Sequence, residues 1–187
     1  MSQPRFDPYA ILQELERVRC GFVVIGGLAR VIQGSDELTH GLDIAPSMNK
    51  ESLRRLGQAL ENLNARRVDR QPLALDQLDP QREPVIELTS DAGEIKIVPE
   101  PAGTRGYEDL RFRANHEPLG HGLRPSVASP GDLVRMLEAH DRQPDPLVLE
   151  TMRTVLELEH RLTIWRLEQH VHSFFLRVLL HLIDADK

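Results

Sequence analysis

The chain of 187 residues has little cysteine, little aromatic content and no excess of positive charge. Its single cysteine, Cys20, excludes an internal disulfide and fits a reducing cytoplasm. Because aromatic residues make up only 4% of the chain, Leu, Val, Ile and Ala must build the core. The formal net charge of −6 argues against broad electrostatic binding of nucleic acid. The chain has two local groups of arginines: Arg66, Arg67 and Arg70, and Arg111 with Arg113. Either group could form a basic patch, but an ordinary solvated surface explains both more simply.

Several motifs that identify common enzyme and metal sites are also missing. The chain contains no G-x-S-x-G nucleophile motif, no P-loop lysine motif and no Cys/His spacing typical of zinc. Residues 1–7 lack the basic-then-apolar pattern of a signal peptide. No apolar run reaches membrane-spanning length without charges. We therefore expect a cytoplasmic protein that makes no membrane contact.

The periodicity of apolar residues predicts a mixed α/β (α+β) fold. Short apolar runs at 22–25, 42–45, 85–88 and 94–98 are typical of strands, and the last two are joined by a turn at 89–93. Helical spacing is clear at 8–19, at 27–32 and at 49–64. These elements predict a mixed sheet flanked by helices over residues 1–142.

A helical extension is predicted for residues 143–187. Pro144 and Pro146 interrupt the preceding helix, and helical spacing then continues to about Ile183. The second half is apolar on more than one face, with a main stripe of Val171, Phe174, Phe175, Val178, Leu179 and Leu182. Such a surface must be buried against its own domain or against another chain. A homodimer or a complex with a partner protein through this helix is therefore one expectation.

The residues that carry chemistry are concentrated between positions 22 and 44. A buried strand, Phe22–Ile25, runs into Gly26-Gly27 and a short helix, and Gly34-Ser35 follows as a turn. The next strand, Thr39–Ile44, carries a single carboxylate, Asp43. This segment resembles the active-site segment of the DNA polymerase β-like nucleotidyltransferase superfamily, and most closely small bacterial members related to the abortive-infection (AbiEii-type) toxins. In that family the strand reads roughly T-x-D-L-D-I, so that Gly41 stands where the first aspartate is expected.

A second segment resembles the same family. Residues 94–103 are similar to the family's strand and its P-x-P-A-G exit, and the third family aspartate falls on Lys96. Carboxylates at positions i and i+2 of a strand project from one face and can share Mg²⁺ ions that clamp a triphosphate. The resemblance thus implies a magnesium site in which two of three carboxylates have been replaced. Asp43 alone would hold a metal only weakly.

The resemblance implies a set of site residues. We expect the nucleotide-binding candidates to be Gly26, Gly27, Gly34, Ser35 and Lys96. Gly34-Ser35 is weighed as a phosphate-binding turn against a plain turn that ends a helix. Asp43 is the sole candidate for metal binding and, if the protein is active, for catalysis. A further hypothesis is that the Lys96 ammonium replaces the lost metal and pairs with Asp43.

Three functions follow from these features. The first is a catalytically degenerate nucleotidyltransferase-fold protein that acts by binding a nucleotide or a partner protein. The second is an active metal-dependent enzyme, toxin-like, that modifies RNA or protein. The third is a dimeric scaffold with a vestigial pocket. Because two replacements fall on the metal centre itself, the sequence favours the first and third.

Overall fold

A seven-stranded mixed sheet forms the centre of the protein. The computed structural model describes residues 6–140 and 144–164. The strands are β1 Phe22–Ile25, β2 Gly41–Pro46, β3 Arg66–Arg67, β4 Ile86–Ser90, β5 Gly93–Ile97, β6 Asn115–His116 and β7 Ser126–Val127. Their order across the sheet is β3-β4-β5-β2-β1-β7-β6.

The helices flank this sheet. They are α1 Pro8–Arg17, α2 Gly26–Ile32, α3 Lys50–Asn62, α4 Tyr107–Leu110, α5 Pro130–Ala139 and α6 at 146–164, with a short 3₁₀ helix at Leu75–Gln77. The predicted mixed sheet flanked by helices is confirmed. None of the helices in the described part of the chain is long and apolar enough to cross a membrane.

The four central strands set the register of the candidate site. β1 and β2 are antiparallel, with Ile25 opposite Asp43. β2 and β5 are parallel, with Asp43 beside Lys96. β4 and β5 form an antiparallel hairpin in which Ser90 pairs with Gly93, so the turn consists of two residues. Three of these strands, β2, β5 and β4, therefore each bring one charged side chain to the same line across the sheet: Asp43, Lys96 and Glu87.

Alternation along the strands separates a packed face from a polar face. In β4, Ile86, Leu88 and Ser90 are buried while Glu87 and Thr89 are exposed. The packed face joins a core of aliphatic side chains, and α1 and α3 each contribute their apolar stripes to it. Side chains cap both helices: Asp7 accepts from the Ala10 amide at 3.1 Å and Asn49 accepts from the Ser52 amide at 2.8 Å.

An ion-pair cluster anchors α5. Ser129 caps the helix and also donates its hydroxyl to Asp132 at 2.9 Å. Asp132 is 1% exposed and lies 2.9 Å from an Arg135 nitrogen, which is also 2.9 Å from Asp109 of α4. This cluster gives Ser129 and Asp132 a structural role, because it ties α4 to α5.

α6 begins inside the folded domain. Met152 has no exposed surface, and Leu149, Val155 and Leu156 pack against the same core as the sheet. Leu158 and Leu162 on the same helix are exposed. The apolar stripe from Val171 to Leu182 lies outside the described residues, so assembly through it stays a prediction.

Candidate functional site

A cleft of about 990 Å³ lies on the polar face of the sheet. Its charged floor is a row across three neighbouring strands: Asp43 of β2, Lys96 of β5 and Glu87 of β4. In the strand register, Lys96 lies opposite Asp43 on one side and Glu87 on the other. Gly26 and Gly27 border the cleft at one side, and Pro101 and Ala102 of the P-x-P-A-G segment border it at another. The two family-like segments therefore meet in one cavity.

Gly26 and Asp43 are in direct contact. Gly26 adopts φ +66°, a conformation that residues with a Cβ rarely take. A Cβ added to Gly26 would lie 2.0 Å from the Asp43 carboxylate oxygen. Only glycine therefore lets the Asp43 side chain occupy its place beside the start of α2.

Asp43 is partly buried, and this shapes its ionisation. Burial raises the pKa of Asp43 above the ordinary value of 3.8, while the positive charges of Lys96 and Arg30 lower it. The net shift is upward because loss of hydration outweighs both cations. No side chain in the described ranges donates a hydrogen bond to this carboxylate or pairs with it within 4.0 Å.

Lys96 does not form the expected ion pair with Asp43. Its ammonium nitrogen lies 2.8 Å from a carboxylate oxygen of Glu87, directly opposite across the β4–β5 hairpin. This pair raises the pKa of Lys96. Lys96 thus sits between two carboxylates, bonded to Glu87 and attracting Asp43 only at longer range. The hypothesis that Lys96 pairs directly with Asp43 was wrong, because Lys96 pairs with Glu87 instead. Glu87 is more exposed than Asp43, so its ion pair loses less hydration.

Two arginines at the border of the cleft are held by carboxylates. Arg30 of α2 makes a paired contact with Glu37, with nitrogen–oxygen distances of 2.5 and 2.8 Å. Arg67 of β3 lies 2.6 Å from Asp69 and 2.7 Å from Glu83. Each guanidinium is therefore fixed in orientation before any ligand arrives.

Gly34 and Ser35 do not line this cleft. They end α2, since the Gly34 amide donates to Val31 at 3.1 Å and the Ser35 amide to Arg30 at 2.9 Å. Gly34 adopts φ +110° and faces Val155 of α6, and Ser35 is buried. Of the two interpretations in the sequence, the geometry matches the helix-ending turn, whereas the other expected nucleotide-binding residues, Gly26, Gly27 and Lys96, do meet in the cleft.

The side chains present do not fit a magnesium centre. No group of three or more His, Cys, Asp or Glu side chains in the described ranges is arranged to hold a metal ion. Asp43 is flanked on its strand by Gly41 and across the strands by an ammonium. A carboxylate side chain at position 41 would also be crowded, because a Cβ there would lie 3.1 Å from the Glu94 backbone oxygen.

Sequence reasoning missed part of the site. The apolar walls are Val68, Pro84, Val85, Val98, Leu133, Met136 and Leu137. Val68 directly follows the edge strand β3, which no sequence pattern predicted, whereas Val85 directly precedes β4 and lies in the predicted strand at 85–88. Glu87 could have been found, because counting back from the turn at 91–92 places it opposite Lys96. Cys20 is buried, and burial raises the pKa of its thiol to about 12, which disfavours the nucleophilic thiolate.

Comparison with known proteins finds similar solved structures, and two of them are described here. No protein-family profile and no curated protein matches the chain. A Thermotoga maritima protein provisionally described as a nucleotidyltransferase has 18% identity over 84% of this chain and 89% of that chain, with a TM-score of 0.47. The antibiotic-resistance factor ANT(2'')-Ia has 16% identity over 88% of this chain and 95% of that chain, with a TM-score of 0.49. Identities of this size do not transfer an activity from one protein to another, and neither structure bears on the narrower likeness to abortive-infection toxins.

Proposed function

We propose that the protein is a catalytically degenerate member of the nucleotidyltransferase superfamily that binds a nucleotide in the cleft. The observation that carries this is the charged row Asp43–Lys96–Glu87. At the two positions where the resemblance implies further metal-binding aspartates, the chain has Gly41 and Lys96. Residues from both segments that carry the resemblance line one cavity, whereas Gly34 and Ser35 do not; the residues in the lining are Gly26, Gly27, Asp43, Lys96, Pro101 and Ala102.

The cavity supports binding of a nucleotide by its size and its lining. Its volume of about 990 Å³ falls at the upper end of the range for small-molecule sites, roughly 300–1,000 Å³. The cations Arg30, Lys96 and Arg67 border it, and apolar side chains form the walls. Phosphate oxygens suit the Lys96 end beside Gly26, and a ribose and base suit the apolar walls.

Loss of transfer activity follows from the same row. In a metal-dependent transfer, the ions stabilise charge that develops on the reacting phosphoryl group, a contribution of several kcal/mol. One partly buried carboxylate and a neighbouring ammonium do not supply that centre. A nucleotide that arrives with its own Mg²⁺ would meet Asp43 only as a single ligand.

Calorimetry with the four nucleoside triphosphates, with and without Mg²⁺, tests the proposal. We expect binding of at least one nucleotide, weakened by Lys96→Gln, and no incorporation of labelled nucleotide into protein or RNA. Arg82→Gln is the control, because Arg82 is an exposed cation outside the cleft. Binding of no nucleotide would contradict the proposed ligand. Robust transfer abolished by Asp43→Ala would contradict the proposed degeneracy and support a toxin-like enzyme.

The reverse substitution tests the metal argument separately. Lys96→Asp places a third carboxylate between Asp43 and Glu87. We expect Mg²⁺ binding above the wild-type level in this variant, whereas adding Gly41→Asp should help less because Glu94 crowds that position. Equal Mg²⁺ affinity in wild type and Lys96→Asp would show that Lys96 does not exclude the ion.

A second role, self-association through the C-terminal helix, is favoured by the exposure of Leu158, Leu162 and Ile164, each more than half exposed. The side of α6 that carries Met152 is packed against the domain, so these leucine and isoleucine side chains would require a different surface to become buried. Light scattering of the full chain and of a chain ending at Arg161 tests this proposal. A full-length monomer in solution would contradict it.

A further inference from the structure

A second cleft, of about 350 Å³, lies at the opposite end of the central strands. It borders Gly21 at the start of β1 and Ser47 after β2, whereas the first cleft borders Gly26 at the end of β1. Five residues of extended chain separate the two glycines, roughly 17 Å. The two clefts therefore cannot share one mononucleotide.

Positive charge exceeds negative charge around this second cleft, although the whole chain is acidic. Arg19, Arg55 and Arg111 line it together with Glu51 and Glu108. Glu51 serves two guanidiniums at once, because Arg54 lies 2.9 Å and Arg55 lies 2.8 Å from the same carboxylate oxygen. Arg19 has no carboxylate within 4.0 Å in the part of the chain that the structure describes. The result is a local surplus of guanidinium groups.

Hydrogen-bond donors face the same space. The Tyr107 hydroxyl lies close to Gly21, 3.2 Å from where a Cβ would stand. This hydroxyl makes no hydrogen bond to any residue in the described ranges. A second arginine, Arg55, is fixed by donating to the Arg19 carbonyl at 3.0 Å and to Glu51. One guanidinium is thus held in place at the wall while Arg19 and the tyrosine hydroxyl keep free donors.

An exposed aromatic ring adjoins the cleft. Phe112 follows Arg111 directly and is 76% exposed. The Arg111 guanidinium carbon lies 4.6 Å from the centre of this ring, so one face is covered by a cation and the other is open. Among the aromatic side chains that the structure describes, Phe112 is the most exposed.

We propose that this face, formed by Arg19, Arg55, Tyr107, Arg111 and Phe112, binds single-stranded nucleic acid. The guanidiniums and the tyrosine hydroxyl bind backbone phosphates in the cleft, and a base stacks on the open face of Phe112. An open ring beside guanidiniums is the combination that single strands use, because every base presents a flat face whatever the sequence. An acidic peptide would satisfy the cations but would leave Phe112 without a flat partner. The small size of the patch is consistent with the net charge of −6, since it predicts weak binding rather than broad attraction.

Fluorescence anisotropy with labelled ten-residue single strands of uridine and of thymidine, at about 50 mM salt, tests this proposal. We expect saturable binding that weakens roughly tenfold between 50 and 200 mM salt. Phe112→Ala should weaken it about fivefold or more. Arg111→Gln should weaken it and reduce the slope against salt concentration by about 0.7.

Matched controls lie elsewhere on the surface. Arg82→Gln removes an arginine that pairs with a carboxylate three residues away, as Arg111 does, and Leu38→Ala removes a side chain that is 89% exposed. Neither should change the affinity. No binding at low salt, or equal losses with Arg82→Gln and Leu38→Ala, would overturn the proposal. Displacement of the strand by polyglutamate at equal charge concentration would also overturn it and identify an acidic protein as the occupant. Because the first cleft is untouched, nucleoside triphosphate binding should be unchanged in Phe112→Ala, whether or not the proposed function holds.

Discussion

The substitution Glu87→Gln removes the carboxylate that holds Lys96 while keeping a side chain of the same size. In the wild type the Lys96 ammonium lies 2.8 Å from Glu87, and their side chains are 42% and 53% exposed. A phosphate that approaches Lys96 must compete with Glu87 for the ammonium and is repelled by its negative charge. We therefore expect the variant to bind nucleoside triphosphates more tightly than the wild type.

The expected size follows from two contributions. A half-exposed ion pair contributes about 0.2–1 kcal/mol, which the ligand no longer has to offset. Repulsion between unit charges about 6 Å apart in a water-like dielectric adds about 0.7 kcal/mol. Together they give about 1–1.5 kcal/mol, or a five- to tenfold lower dissociation constant. Both contributions are electrostatic, so the gain should shrink as salt rises from about 20 to 300 mM.

Isothermal titration calorimetry with Glu94→Gln as control is the measurement. Glu94 is exposed on the same face of β5 as Lys96, but two residues away along the strand and outside the cleft. That distance is nearly 7 Å, so we expect less than about a twofold change. Equal gains in both variants would indicate a general effect of surface charge. No gain in Glu87→Gln would refute the idea that ligand phosphates reach Lys96.

Four further predictions concern stability and are checked by urea denaturation. Gly26→Ala should lower the free energy of unfolding by at least about 2 kcal/mol, because its Cβ would overlap the Asp43 carboxylate and because φ is +66°. Adding Asp43→Ala to this variant should recover part of the loss. Strictly additive losses in the double variant would contradict the contact. Burial raises the pKa of Asp43, so the charged carboxylate costs no stability below the ordinary value of 3.8, and this cost grows as pH rises through the higher folded pKa. Between about pH 4 and 7, Asp43→Asn should therefore gain stability relative to the wild type. Parallel plots of unfolding free energy against pH for the two proteins would contradict this prediction. Asp132→Ala should cost about 1–3 kcal/mol because it removes a buried carboxylate that Ser129 and Arg135 both bond, leaving Arg135 with Asp109 alone. A loss below about 0.5 kcal/mol would mean that solvent replaces these bonds. Met152→Ala should lower the free energy of unfolding by about 2–5 kcal/mol because Met152 is buried, whereas Leu158→Ala should lower it by less than about 0.5 kcal/mol because Leu158 is exposed. Similar losses in the two variants would show that α6 unfolds separately from the domain.

The order of the central elements could be predicted from sequence because short apolar runs and turn residues determine it locally. The turn before Gly93 determines the β4–β5 register, and the helix that begins at Gly26 follows directly from its strand. The short strands β3, β6 and β7 could not be predicted, since two residues carry no periodicity. Their pairing depends on contacts that are distant in sequence.

The candidate site could be predicted where the resemblance places two strands side by side, but not where the partner of a side chain depends on relative exposure. The position of Asp43 beside Lys96 followed from the resemblance and is present in the register. The choice of Glu87 rather than Asp43 as the partner of Lys96 depends on relative exposure, which no local pattern encodes. Gly34-Ser35 misled for a related reason, because a helix-ending turn and a phosphate-binding turn use the same residue types.

The row Asp43–Lys96–Glu87 also has a consequence for how such a chain could evolve. Both lysine codons become glutamate codons through a single nucleotide change, so one mutation would place three carboxylates side by side on three strands. The neighbouring route, a carboxylate gained at Gly41, is equally short in the genetic code, but a Cβ there would lie 3.1 Å from the Glu94 backbone oxygen. Gain of a carboxylate cluster is therefore open at position 96 and sterically hindered at position 41. Homologous chains that carry Glu at position 96 are where an ion-dependent activity should be sought.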